Sequence, residues 1–186
     1  MRKSNLEAAQ TRREIVVAAA DELRQHGIAE ASLSDIMAAA GLTAGGFYRH
    51  FRSKDQLVAE ALVAAGADLI ENLKLALASD GFNGAVDAYL SSAGPDGAGI
   101  PNCPFSALGS EIARAAPETR DALTLTLENL LSTFETGTTG GKPGRRNAVV
   151  ALATMVGALT LARISTKAKL SSEIVEIVRK DVHRAP

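Results

Sequence analysis

Tryptophan is missing from this chain, and tyrosine occurs only twice in 186 residues. Aromatic residues together make up 4%, against 46% hydrophobic residues in all, so Ala and Leu carry most of the apolar content. Small and straight-chain residues favour packed helices over a β-sandwich. A single cysteine rules out an intrachain disulfide and suits a reducing cytoplasm, the expected location. Three histidines, His26, His50 and His183, stand far apart and give a metal cluster no support. Long apolar runs are lacking too. The longest, Ala148 to Ala162, contains Thr154 and Thr160 and falls short of the roughly 20 residues of a membrane helix. It reads as a buried helix, and no membrane partner is expected. The basic N-terminus is followed by no apolar h-region, so no signal peptide is expected. There is no internal repeat.

Charge of one sign is also lacking, since the net is -1. Its distribution says more. Residues 1–54 hold eight Lys/Arg and six Asp/Glu, a net of +2, while residues 55–186 hold twelve and fifteen, a net of -3. The front of the chain therefore has the sign that suits phosphate.

What is present is a series of helix starts and stops. A helix is expected over about 7–26, with Ile15, Val16, Ala19, Ala20 and Leu23 as its apolar stripe and Gly27 as a left-handed stop. Residues 1–6 form a basic arm before it. Ser32 and Asp35 make a capping box for a short second helix ending near Ala40. Gly41 allows a sharp turn. Thr43 caps a third helix, 44–51, and Ser53 with Gln56 opens a long fourth helix to about Ser79. Three helices with a glycine turn between the second and third describe a helix-turn-helix, which places one helix in the major groove of DNA. Beyond it, helices are expected over 82–92, from Cys103 or Pro104 to before Pro117, and over 118–135, 145–166 and 171–183. Loops are expected at 94–101 and 137–144. On 118–135, Leu123, Leu127, Leu130, Leu131 and Phe134 share a face; the Leu/Thr alternation at 123–127 also suits a strand, but the length of the run favours a helix.

Between Ser32 and Lys54 the sequence resembles the TetR family of bacterial one-component regulators. The resemblance is carried by Ser32-Leu33-Ser34-Asp35-Ile36, Ala40-Gly41-Leu42-Thr43, Gly45, and Phe47-Tyr48-Arg49-His50-Phe51 with Lys54. It covers roughly residues 10–60. Cys103 to Arg114 looks like the start of the sixth helix in one subgroup of that family. The resemblance implies an all-α homodimer of about nine helices. Residues 1–54 would be the DNA-binding domain, and 55–186 a domain for ligand binding and dimerisation. Thr43, Tyr48, His50 and Lys54 would contact phosphates of double-stranded DNA. Ser34, Ala44, Gly45, Gly46 and Arg49 would face base edges or the groove floor. Arg49 is the side chain able to make a bidentate contact to guanine. Gly46 departs from an ordinary reading helix, because two consecutive glycines leave few side chains to read bases. Close backbone approach, Arg49, thymine-methyl contact by Ala44 and DNA shape would then carry specificity. Phe47 and Phe51 read as core.

The rest of the chain says less about chemistry. Cys103 at a helix N-terminus is expected to have its thiol pKa lowered by the dipole, which would make it a candidate sensor of electrophiles or oxidants; the plainer reading is a small buried hydrophobe. Residues 137–143 resemble a phosphate-binding loop only faintly, since Thr136 stands where the first Gly belongs and Pro143 replaces the Ser/Thr. Helix faces suggest a small-molecule pocket lined by Tyr89, Cys103, Phe105, Leu108, Glu111, Leu127, Leu130, Phe134, Met155 and Leu159. Glu111 would pair there with a cationic compound, or else be a solvated helix residue. Ala148, Ala151, Gly157 and Ala158, with Ile174, Val175, Ile177, Val178 and Val182, suggest a dimer surface; otherwise these face their own core. No cofactor is implied. An enzyme using Cys103 as nucleophile lacks a neighbouring base. The reading is a ligand-responsive regulator, a repressor on a palindromic operator released by a small apolar or amphipathic effector. An activator of the same fold, a sensor acting through Cys103 and a non-specific nucleoid binder are the alternatives.

Overall fold

Glycines set the first two breaks of the chain. In the computed structural model, which describes residues 5–94, 99, 102–135 and 144–184, α1 spans Asn5–His26. It stops where Gly27 takes φ +88° and its N–H bonds back to the Leu23 carbonyl at 2.8 Å. Residues 1–4, most of the expected 94–101 loop, and the glycine-rich 137–143 stretch lie outside the described residues.

α2, Leu33–Ala39, begins as the capping box requires. Asp35 donates its N–H to Ser32 Oγ at 3.1 Å, and the Ser32 hydroxyl bonds in return to the Asp35 carboxylate. The helix ends with Gly41 at φ +70°, where the Leu42 N–H reaches the Met37 carbonyl (2.8 Å) and the Gly41 N–H the Ala38 carbonyl (2.9 Å). This paired closure needs a left-handed residue, which is why glycine stands there.

The next helix differs from expectation. Instead of a third α-helix over 44–51, Ala44–Arg49 forms a 3₁₀-helix. Its i→i+3 bonds run from the Gly46 N–H to the Thr43 carbonyl (3.0 Å) and from the His50 N–H to the Phe47 carbonyl (2.9 Å). Gly45 and Gly46 lower the α-helical propensity of a segment already too short to sustain itself. The tighter winding is the result.

α3, Lys54–Leu90, joins the expected helices 55–79 and 82–92 into one span broken at Gly81, which takes φ +66° and ψ −156°. Its opening matches the box read from sequence, with the Gln56 N–H donating to Ser53 Oγ at 3.1 Å. A short 3₁₀ turn, Ser91–Ala93, follows. The remaining helices are α4 (Pro104–Ile112), α5 (Pro117–Glu135), α6 (Arg145–Ile164) and α7 (Ala168–Arg184). All regular structure among the described residues is helical, and with Gly81 dividing α3 the count is close to nine. The 118–135 segment is a helix, with Leu123, Leu130, Leu131 and Phe134 buried.

By internal contacts the chain forms two units, Met1–Ala65 with Leu108–Leu123, and Gly66–Ala107 with Thr124–Pro186. In the first, Ile15, Ala19, Ala20 and Leu23 of the expected α1 stripe are buried and Val16 is half-buried, with Ile36, Met37, Phe47, Phe51, Leu57 and Leu62 also buried. Each fully buried Leu or Ile here contributes about 1.5–3 kcal/mol of transfer free energy. The second unit holds a larger core of Leu73, Tyr89, Leu130, Phe134, Met155 and Leu159 among others. Within it α6 packs against α7. α3 crosses α5 closely there because residue 66 is glycine, where a Cβ would come within 2.3 Å of Thr126 Cγ2.

The small-residue stripe of α6 faces inward. Ala148, Ala151 and Ala158, like Val175 and Val182 of α7, are buried in the core of their own unit, and Ile174 and Val178 pack against that core. α6 is also apolar on its other side, where Val149, Val150, Leu161 and Ile164 are exposed, as is Ile177 of α7. By length and composition alone α6 would reach across a membrane. Seven of its residues are instead buried within the protein.

Candidate nucleic-acid interface

The segment from Thr43 to Arg49 has two unlike faces. Inward, Phe47 and Phe51 are 1% and 2% exposed, their ring centroids 5.6 Å apart and nearly parallel. These rings anchor the segment on the core of the first unit, as core residues should. Outward, Thr43, Ala44, Gly45, Tyr48 and Arg49 are exposed, and Gly46 and His50 are half-buried. Tyr48 is 75% exposed although its ring edge meets Phe47 at 5.1 Å between centroids. A large aromatic held in the open by a buried neighbour leaves its hydroxyl available to a partner.

Thr43 has the extended backbone of an N-cap (φ −89°, ψ 146°), yet its hydroxyl makes no capping bond. The expected cap is therefore backbone only, because the tight 3₁₀ turn is closed by the Thr43 carbonyl. Thr43 is exposed, as are Tyr48 and Arg49. Ser34 is exposed on the first turn of α2.

Two glycines on this face are not demanded by the protein itself. Neither has a positive φ. A Cβ at Gly45 would meet nothing within 4 Å, and one at Gly46 would make ordinary contact with Met37 Cε at 3.7 Å. Lys54 sits differently from a free surface cation. Its ammonium donates to the Ile28 carbonyl at 2.8 Å and lies 3.5 Å from that of Ala29. Arg12, which carried no local signal in the sequence, holds the far end of the segment through partners 38 and 48 residues away.

The residues suggested as a pocket fall into both units. Leu108 and Glu111 belong to the first, and the other eight to the second. Tyr89, Cys103, Leu130, Phe134, Met155 and Leu159 join one buried core, with Phe105 and Leu127 packed against it. Glu111 is engaged within the first unit, accepting the backbone N–H groups of Ile28 (2.7 Å) and Ala29 (3.2 Å).

Cys103 is fully buried just before α4. The expected lowering of its pKa is overturned: burial pushes the thiol up, and the hydrogen bonds from Tyr89 and from the Ser106 and Phe105 backbone offset only part of that. Burial likewise pushes Tyr89 well above its ordinary value, and its hydroxyl lies 3.0 Å from Ser106 Oγ. Desolvation outweighs the helix terminus because the thiolate would sit among apolar side chains.

Residues 15–61 match the sequence model of the family described as bacterial regulatory proteins, tetR family. The probable acrEF/envCD operon repressor of Escherichia coli K12 is 39% identical over 59 residues, 32% of this chain. The HTH-type transcriptional regulator TtgR of Pseudomonas putida is 40% identical over 58 residues, 31% of this chain. The chain spans about a quarter of the length of these relatives, 27% and 28%. Among solved structures, a TetR transcriptional regulator from Chloroflexus aurantiacus superposes with a TM-score of 0.76 at 27% identity, covering 96% of each chain. Reduced Escherichia coli NemR superposes with a TM-score of 0.77, covering 93% of this chain and 95% of its own, and at 23% identity shares the fold.

Proposed function

From the match of residues 15–61 to the tetR family model, we propose that the chain is a TetR-family DNA-binding transcriptional regulator acting as a homodimeric repressor. The observation that carries this is the two-faced segment: buried Phe47 and Phe51 behind, and Thr43, Ala44, Gly45, Tyr48 and Arg49 open in front. Arg49 reads a guanine edge, while the hydroxyls of Thr43 and Tyr48 and the imidazole of His50 position the duplex on its phosphates. Ser34 faces the groove from α2. Gly45 and Gly46 let the backbone approach the DNA closely. Lys54 acts from its bonds to the α1–α2 turn.

Two copies would join through the outer faces of α6 and α7, where Val150, Leu161, Ile164 and Ile177 are exposed. Covering such a face is favourable in proportion to the apolar area removed from water. Two heads on a two-fold axis require a palindromic operator. A small apolar or amphipathic effector entering the second unit would release it, by binding more tightly to the state in which α3 holds the heads at the wrong spacing.

Selection of bound duplexes from a random DNA pool, with competitor DNA at physiological salt, tests the proposal. A palindrome is expected, with a guanine contacted by Arg49 in each half. Salt-sensitive binding with no enriched sequence would overturn it in favour of a non-specific binder.

A further inference from the structure

One guanidinium meets three elements of the first unit. Arg12 of α1 pairs with both carboxylate oxygens of Glu60 on α3, with Nη2–Oε1 at 2.7 Å and Nη1 against Oε2. Its Nε donates to the His50 carbonyl at 3.2 Å. Its Cζ lies 4.4 Å from the centroid of the Phe51 ring. Glu60 accepts a further bond from Gln56 Nε2 at 3.0 Å, and Gln56 Oε1 accepts the Arg52 N–H at 2.8 Å. A continuous set of bonds thus runs from α1 to the backbone on either side of Phe51.

His50 is the residue that closes the 3₁₀-helix, and the last carbonyls of a helix have no partner inside it. Six residues with two glycines do not hold such an end in place unaided. Arg12 supplies the missing donor and covers the ring that anchors the same end. Its own charge is spent on Glu60, whose carboxyl the hydrogen bond from Arg12 holds below its usual value. Both side chains are about a third exposed, 35% and 33%, so the pair adds little to stability as an ion pair. Its effect lies in geometry.

Resting on the DNA-binding reading above, we propose that Arg12 is a positioning residue for operator recognition. It fixes the C-terminal end of the 3₁₀ segment through the His50 carbonyl and the Phe51 ring, and so sets the angle at which Tyr48 and Arg49 are presented. It does not neutralise a phosphate. Lysine cannot substitute, because one ammonium cannot form the fork to Glu60, bond the carbonyl and cover the ring together.

The test measures affinity for the selected operator and for a random duplex across a salt series, in the parent, Arg12→Lys, Arg12→Ala and Glu60→Gln, with thermal unfolding of each. Arg12→Lys is expected to lose about tenfold in operator affinity, as small misplacements of reading groups do, with random-duplex affinity and salt slope nearly unchanged. Glu60→Gln, which keeps the size of the side chain, is expected to weaken operator binding in the same direction. If Arg12 instead contacts phosphate, Arg12→Ala lowers both affinities and reduces the salt slope by about one, while Glu60→Gln tightens binding. That result overturns the inference, and so do variants that bind like the parent. A parent with no preferred duplex overturns the regulator reading itself.

Discussion

The carboxylate of Glu111 accepts the backbone N–H of Ile28 at 2.7 Å, joining two residues 83 positions apart in the chain. It also takes the Ala29 N–H at 3.2 Å, while Lys54 donates to the Ile28 carbonyl. The turn after α1 is thus held by an acceptor on its N–H groups and a donor on its carbonyl. Glu111→Ala leaves the partly buried Ile28 N–H and the exposed Ala29 N–H without this acceptor, and with one of the two open to water it should cost about 1 kcal/mol in denaturant unfolding. Glu111→Gln keeps an oxygen acceptor and should cost less. Equal stability of parent and Glu111→Ala would contradict this account.

Gly27 and Gly45 should respond oppositely to alanine. At Gly27 a Cβ would lie 2.9 Å from Glu111 Oε1 with φ at +88°, so Gly27→Ala should destabilise by about 1–2 kcal/mol or more. At Gly45 a Cβ meets nothing, so Gly45→Ala should leave the melting temperature equal or higher, since alanine is the better helix former by roughly 1 kcal/mol. Operator affinity of Gly45→Ala should nonetheless fall. If it binds as tightly as the parent, close approach of the backbone to DNA is wrong.

The buried pair Cys103 and Tyr89 makes stability depend on alkaline pH. Both pKa values are raised in the fold, chiefly by burial. Below about pH 7.5 both groups are neutral whether the chain is folded or not. Above that the unfolded chain releases protons that the folded chain retains, so the balance shifts toward unfolding. Urea midpoints should hold to about pH 8 and decline from about pH 9 upward, with a shallower decline in Cys103→Ala. A flat profile to pH 11 would argue that these groups are not buried as described. The same burial makes the thiol slow toward an aqueous thiol reagent until the chain is unfolded.

Exposed apolar residues on α6 and α7 should govern assembly. Ile164 is 72% exposed and Val150 54%, so glutamate at either position disturbs no core of the single chain. Ile164→Glu and Val150→Glu should sediment as monomers with unchanged helical content, and lose operator affinity because one head replaces two. Variants that sediment as the parent does would place the interface elsewhere.

Local signals carried the front of the molecule. The capping pair Ser32 and Asp35, and the stop at Gly41, act within a few residues, and each appears where the sequence put it. The winding of Ala44–Arg49 was harder to read, since propensity marks Gly45 and Gly46 as weak helix formers without saying which tighter form follows. Arg12–Glu60 and Glu111–Ile28 join residues far apart in sequence, and no spacing rule reaches that far. On α6 periodicity was ambiguous because the helix is apolar on more than one face. Ala148, Ala151, Ala158 and Ala162 face the core, leaving Val149, Val150, Leu161 and Ile164 exposed.

The break at Gly81 gives α3 a defined lever arm. Unbroken, its 37 residues would form a rod of about 55 Å. From Lys54 to Asp80, the helical rise before the break amounts to about 40 Å. A tilt of about 5° about one end of such an arm carries the other by about 3.5 Å, close to one base step along a DNA strand. On the proposed function, a rearrangement too small to repack a core would then be large enough to cost a reading head its register.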